Sequence, residues 1–183
     1  GDDYIMTGSG NQSSSWDRDI YIVQDHGSGV SSWTYGDGTG NGHDEGRDVA
    51  FTADGGAIIT GYTETWGAGG RDAFLLKIDS LGAVQWMEVY GGGLDDEARF
   101  VGQTSDGGYV FGGQTSSFGH GGLDFFACKV DSLGSVLWTY AYGETGDEKS
   151  LSGVMGASDN FAIIGGTTSF GAGLKDFYSV FAD

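Results

Sequence analysis

With 26 acidic side chains against eight basic ones, the chemistry of this chain is first of all carboxylate chemistry. Adjacent acids at Asp44/Glu45, Asp96/Glu97 and Asp147/Glu148 have the make-up of a general acid and base. A catalytic pair should stand apart from its surroundings, yet these recur at one place in each of three similar segments. They read as strand-opening residues that bond backbone amides. Asp19, Asp72, Asp124 and Asp176 read the same way, as short carboxylates accepting N–H bonds from loops. No acidic pair departs from the repeat, so no catalytic residue is assigned and no enzymatic activity is expected.

One loop does break the symmetry. From Tyr35 to Glu45 is ten residues, against seven from Tyr90 to Glu97 and six from Tyr142 to Glu148. Its sequence DGTGNGHDEGRD puts Asp37, Thr39, Asn41, His43, Glu45 and Asp48 at the ligand positions of a calcium loop, with Gly42 at the sharp turn. Thr stands where Asp or Asn is usual, Asp stands where Glu is usual, and no flanking helices are expected. Calcium is the one cofactor suggested; the competing reading is a solvated Gly-rich turn.

Trp16, Trp66, Phe118 and Phe170 occupy equivalent Gly/Ser-rich loops. Such a row of rings suits glycan stacking or, more simply, packing between modules or subunits. Trp33, Trp86 and Trp138 fall inside strands and read as core. His26, His43 and His120 sit at unrelated places and show no metal-ligand spacing. Cys128 aligns with Leu76 in a strand and reads as a buried apolar residue. Gly-rich strings near Gly67 precede no helix, so they make a poor nucleotide loop. Asn11-Gln12-Ser13 is a glycosylation sequon, meaningful on an exported protein.

Composition narrows the partners. A formal charge of −18 repels nucleic acid and anionic membrane surfaces. One cysteine permits no internal disulfide, and no apolar stretch is long enough for a membrane-spanning helix. Cationic partners, neutral glycans and other copies of the chain remain. The first residue is Gly1, which fits removal of a leader or excision from a larger protein.

The elements that position these residues come from a repeat. The Asp series steps by 53, 52 and 52 residues, the strand Trp series by 53 and 52, and the loop aromatics by 50, 52 and 52. Within one unit, DEARFVGQT (96–104), YVFGG (109–113), LDFFACKVD (123–131) and SVLWTYAYG (135–143) have strand length and β-branched or aromatic content. DGG (106–108) and SLG (132–134) turn the chain, with QTSSFGHGG (114–122) a loop. Apolar spacing of helical period never persists, so almost no helix is expected. Four antiparallel strands at this period predict an all-β chain of β-propeller-type, four-stranded blades of about 52 residues. The single domain spans 1–183, with blades near 1–36, 44–91, 96–143 and 147–183.

The stretches GYTETWGAGGRDAFLLKIDSLGAVQWMEVYGG (61–92) and TSDGGYVFGGQTSSFGHGGLDFFACKVDSLGSVLW (104–138) resemble the secreted bacterial and archaeal β-propeller repeat proteins (SBBP-type, kelch-like). YVFGG resembles the double-glycine strand of kelch blades. The resemblance covers nearly the whole chain and implies an extracellular or cell-surface location. It implies little about chemistry, since such a family is defined by its repeat. DDYIMTG (2–8) aligns with a second strand and KDFYSVFAD (175–183) with a third, so the first and last blades are expected to be incomplete. Three outcomes follow: a piece of a longer propeller, closure as a small monomer, or subunits completed by strand addition into an assembly or filament. The partners expected are thus the chain itself or other cell-surface components, with glycans as the alternative.

Overall fold

In the computed structural model, residues 4–10, 18–25, 29–35, 42–172 and 174–182 are described. Among them are fourteen strands, no helix, and four antiparallel sheets of three, four, four and three strands. The first sheet holds β1 (Tyr4–Gly10), β2 (Asp19–Asp25) and β3 (Val30–Tyr35) in that order. The second holds β4 (Asp44–Phe51), β5 (Ala57–Thr63), β6 (Asp72–Ile78) and β7 (Val84–Tyr90). The third holds β8 (Asp96–Gln103), β9 (Tyr109–Thr115), β10 (Asp124–Val130) and β11 (Val136–Tyr142). The fourth holds β12 (Glu148–Met155), β13 (Phe161–Thr167) and β14 (Asp176–Ala182). The described residues form no closed barrel or ring of sheets.

Each sheet is an up-and-down meander, because its connections are short and rich in turn formers. In the β8–β9 turn, Asp106 accepts bonds from the Gly108 amide and the Thr104 hydroxyl, and Gly107 takes a φ of +84°. The residue one repeat later is Asp159, which adopts a φ of +63°. Aspartate tolerates this region better than most side chains. Asp159 is also held from outside, its carboxylate accepting from the backbone and the hydroxyl of Ser105 on the preceding sheet.

The sheets pack in series with one repeated contact scheme. The opening strand of each four-stranded sheet, and of the fourth, lies against the leading strands of the sheet before it: β4 on β1 and β2, β8 on β4, β5 and β6, β12 on β8, β9 and β10. Three apolar clusters fill the junctions. Ile20 and Ile22 meet Ile59, Phe74 and Leu76; Ile58 and Leu75 meet Phe111, Phe126 and Val130; Phe100 and Phe125 meet Phe161 and Ile163. Successive side chains on a strand point to opposite faces, so every inner sheet serves two clusters at once. That is why β5, β6, β9 and β10 are buried along their whole length, with neither face left for water.

The structure refines the repeat in three places. A bulge interrupts the opening strand of three sheets, at Gly46/Asp48, Ala98/Phe100 and Ser150/Ser152. It extrudes Arg47, Arg99 and Leu151 and twists the strand locally. Strands β9 and β13 run two residues beyond the apolar YVFGG-type core, so Gln114 and Thr115 pair with Glu97 and Asp96 instead of starting the loop. Finally, Trp33 is not the counterpart of Trp86. Trp86 pairs with Lys77, whereas Trp33 pairs with Ile22, two residues further along its strand. A bulge at Lys77/Ile78 is missing between β2 and β3, and the intervening loop differs in length. The face is preserved, so all three tryptophans stay half-buried against the junction clusters.

Replacing Phe125 by Ala should remove a fully buried ring packed 5.1 Å from Tyr178. The expected cost is about 3–5 kcal/mol in urea unfolding. Leu133→Ala, at a 71% exposed turn, should stay within about 0.5 kcal/mol.

Candidate interaction surfaces

The recurrent aspartates brace loops. Asp72 accepts from the amides of Ala68 and Gly69 with one oxygen, and Asp124 from the His120 amide. At Gly67, Gly119 and Gly171 the carboxylate of the matching aspartate lies within 2.1 Å of where a Cβ would stand. Glycine is required there because the carboxylate occupies the space of a side chain.

The acidic pairs are also structural, but their register shifts in the last sheet. Asp44, Asp96 and Glu148 are the equivalent residues, each paired with a buried threonine: Thr63, Thr115 and Thr167. Asp96 accepts from Gly92, Thr115 and Ser117, and Glu148 from Glu144 and Thr167. Asp147 therefore matches Asp95, and both accept a loop amide of the preceding sheet, from Leu123 and Arg71 respectively. Glu97 is matched by Lys149, so the third pair is not a copy of the first two.

At the junction of the second and third sheets, the Arg71 guanidinium bonds Glu97 at 2.6 Å and Glu64 at 3.0 Å while lying 4.6 Å from the centre of the Tyr62 ring. Burial raises the pKa of Asp124, aided by the Glu148 charge. Burial also raises Asp44 and Asp48. Glu148 is lowered: desolvation opposes this, and hydrogen bonds from Ser169, Thr167 and the Glu144 amide outweigh it.

Of the calcium-loop residues, Asp37, Thr39 and Asn41 lie outside the described residues, as do Trp16, Asn11 and His26. His43 bridges Arg18 through its backbone, and Glu45 accepts from the Tyr62 hydroxyl and pairs with Arg47 at 3.2 Å. Asp48 turns to the next sheet, accepting from the amides of Val49 and Val101. The three described members are thus held separately by protein groups, and no group of three or more metal-ligating side chains occurs among the described residues.

The loop aromatics share one support. Thr63, Thr115 and Thr167 each accept, through the hydroxyl, the amides of the two residues around the turn, ending at Trp66, Phe118 and Phe170. This sets the three rings at 37–39% exposure. Phe118 packs edge-on against Phe126 at 5.9 Å and Phe170 stacks on Tyr178 at 5.1 Å, so one side of each remains open. Beneath Phe118 a cavity of about 580 Å³ opens between β7 and β11, lined by Tyr90, Phe126, Cys128 and Thr139. Cys128 is buried there, and burial pushes its thiol up to about 11, which leaves it protonated and unreactive at neutral pH. This cavity between the outer strands β7 and β11 had no signal in the sequence.

Exposed apolar residues occur on both the first and the last sheets. Tyr4, Met6 and Val30 are exposed on one, and Leu151, Val154, Phe177 and Phe181 on the other. Exposed aromatic and aliphatic patches of this kind mark interaction sites. No known protein family matches the chain, and no curated protein matches it. The kelch-like resemblance therefore rests on the motifs quoted above.

Two buried lysines provide a test of the turn electrostatics. Lys77 reaches Asp54 at 3.0 Å and Lys129 reaches Asp106 at 2.7 Å; the lysines are buried and the aspartates half-exposed. Hydrogen bonds from Thr52 and Lys77 hold Asp54 down to about 2, and Lys129 and Thr104 hold Asp106 lower still. Carboxyls lowered by folding stabilise above their unfolded value near 3.9 and lose that contribution as pH falls through the folded values. Asp54→Asn with Asp106→Asn should lower stability at pH 7 by about 1 kcal/mol per site, solvent screening having been allowed for. Between about pH 4 and pH 2 the variant should lose stability less steeply than the parent chain, as read from chemical unfolding at each pH.

Proposed function

We propose that this chain is an extracellular structural or interaction protein, a β-propeller-type array of blades that forms part of a larger assembly by β-strand pairing between chains. The observation that carries this reading is the pairing state of β1 and β14. β1 occupies the place of β5 and β9, and β14 the place of β6 and β10; those counterparts are hydrogen-bonded on both sides. Among the described residues β1 pairs with β2 alone, and β14 with β13 alone. A strand whose equivalents have two neighbours carries an open row of amides and carbonyls, which a strand from another chain satisfies. The acidic residues support a non-enzymatic role, since those at the junctions are committed to loop amides and threonine hydroxyls.

A second reading is a glycan-binding module. It is favoured by the near-equal exposure of Trp66, Phe118 and Phe170 on matching turns. Screening on a glycan array, with Phe118→Ala as the control, separates the two: ring-dependent hits support it and an array without hits removes it.

For the assembly reading, sedimentation velocity and electron microscopy of the purified chain should show particles that grow with concentration beyond the 19.1 kDa of one chain. A single 19.1 kDa species at every concentration and ionic strength would defeat it.

A further inference from the structure

The cavity beneath Phe118 lies inside the series, between the second and third sheets, and the junction before it shows which side chains can fill that place. Both junctions are framed alike. A tyrosine of the earlier sheet donates its hydroxyl to a turn carbonyl of the later one, Tyr35 to Gly82 and Tyr90 to Gly134. Behind that bond the fillings differ.

At the first junction Leu76 belongs to the apolar cluster, and Trp33, Met87 and Val89 pack against it. The strand pairings identify their counterparts one repeat on. Leu76 pairs with Met87 as Cys128 pairs with Thr139, and Phe74 pairs with Val89 as Phe126 pairs with Ala141. Trp33 pairs with Ile22, and Glu88 pairs with Leu75, the residue of β6 that matches Ile22. Contacts over the turn glycines agree: the Trp33 ring lies over Gly82, whereas Glu88 and Tyr90 lie beside Gly134. Trp, Leu, Met and Val thus give way to Glu, Cys, Thr and Ala. All four changes take apolar bulk from one seam, and a cavity of about 580 Å³ stands there. That volume falls within the roughly 300–1,000 Å³ typical of small-molecule pockets.

The lining decides what can enter. It carries no charged side chain, and Tyr90, Phe118 and Phe126 contribute three aromatic rings. Its two side-chain hydroxyls already have partners: Thr139 donates to the Cys128 sulfur at 3.3 Å and Tyr90 to the Gly134 carbonyl at 2.8 Å. A hydroxyl-rich sugar would lose more hydrogen bonds to water than it regained here, whereas a planar apolar ring can stack or pack edge-on. The charges of Glu88 and Asp131 act on Tyr90, and the chain as a whole carries −18, so an anion is repelled.

We infer that the cavity between β7 and β11 is a binding site for a small, uncharged aromatic molecule. The inference goes beyond the assembly reading and does not depend on it, because both walls of the cavity belong to the second and third sheets.

Fluorescence titration of the whole chain with phenylnaphthylamine, uncharged at neutral pH, should show saturable binding of one molecule per chain. Anilinonaphthalene sulfonate has the same rings with a negative charge and should bind at least tenfold more weakly. A variant carrying the residues of the first junction, Cys128→Leu with Thr139→Met and Ala141→Val, should bind the uncharged probe at least tenfold more weakly while keeping the parental circular dichroism. If it fails to fold, Thr139→Met and Ala141→Val singly take its place, since both positions are exposed, and each should weaken binding at least threefold. These substitutions leave the exposed apolar residues of the first and last sheets untouched, so probe held there would not respond to them. A parent chain without saturable binding, a sulfonate that binds as tightly as the uncharged probe, or filled variants that bind like the parent would each overturn the inference, whatever the state of assembly.

Discussion

A β-sheet with two apolar faces must be covered on both, and the rest of this structure follows from that constraint. An inner sheet here has no polar face to turn to water, so it is stable only between two others. Phe74 and Leu76 serve one junction while Ala73 and Leu75, their neighbours in sequence, serve the next. The sheets cannot fold as isolated units, and the series has no natural stopping point other than a face made polar or a face covered by something else.

Polar chemistry supplies registration between the sheets. The backbone bond from Asp44 to Arg18 recurs as Asp96 to Arg71 and Glu148 to Leu123, with the strand-opening residue donating in each case. Carboxylates reach across the same seams, Asp95 to the Arg71 amide and Asp147 to the Leu123 amide. A chain so rich in acid therefore uses its aspartates much as other chains use turn-forming backbone, as fixed acceptors for loop amides. Glycine fits the spaces beside them, because the carboxylate sits where a side chain would go.

Much of this was legible in the sequence, for a physical reason: a repeat converts one weak strand pattern into several in register. The landmark aspartates open β2, β6, β10 and β14, and the partial first and last sheets follow from the alignment of YIMTG and DFYSVFA with inner strands. What stayed hidden depends on contacts between distant residues. The shift of Trp33 comes from a bulge that spacing cannot reveal. The equivalence of Glu148 with Asp96, not Glu97, was available from the 52-residue step but masked by the look of adjacent acids, and the pairing with threonines makes it plain. Gln114 and Thr115 read as loop because they are polar, yet they close the sheet through bonds to Glu97 and Asp96. The exposed faces were hidden most completely: Phe177 and Phe125 occupy the same motif, and only the presence of a following sheet buries one and bares the other.

The central claim, that each sheet needs cover on both faces, is tested most directly by hydrogen exchange followed by mass spectrometry over a range of chain concentrations. Amides of β5, β6, β9 and β10 should be strongly protected throughout, while those of β1 and β14 should exchange quickly in dilute solution and slow as concentration rises. Protection of β1 and β14 equal to that of the inner strands at the lowest concentration, or unaffected by concentration, would contradict the account.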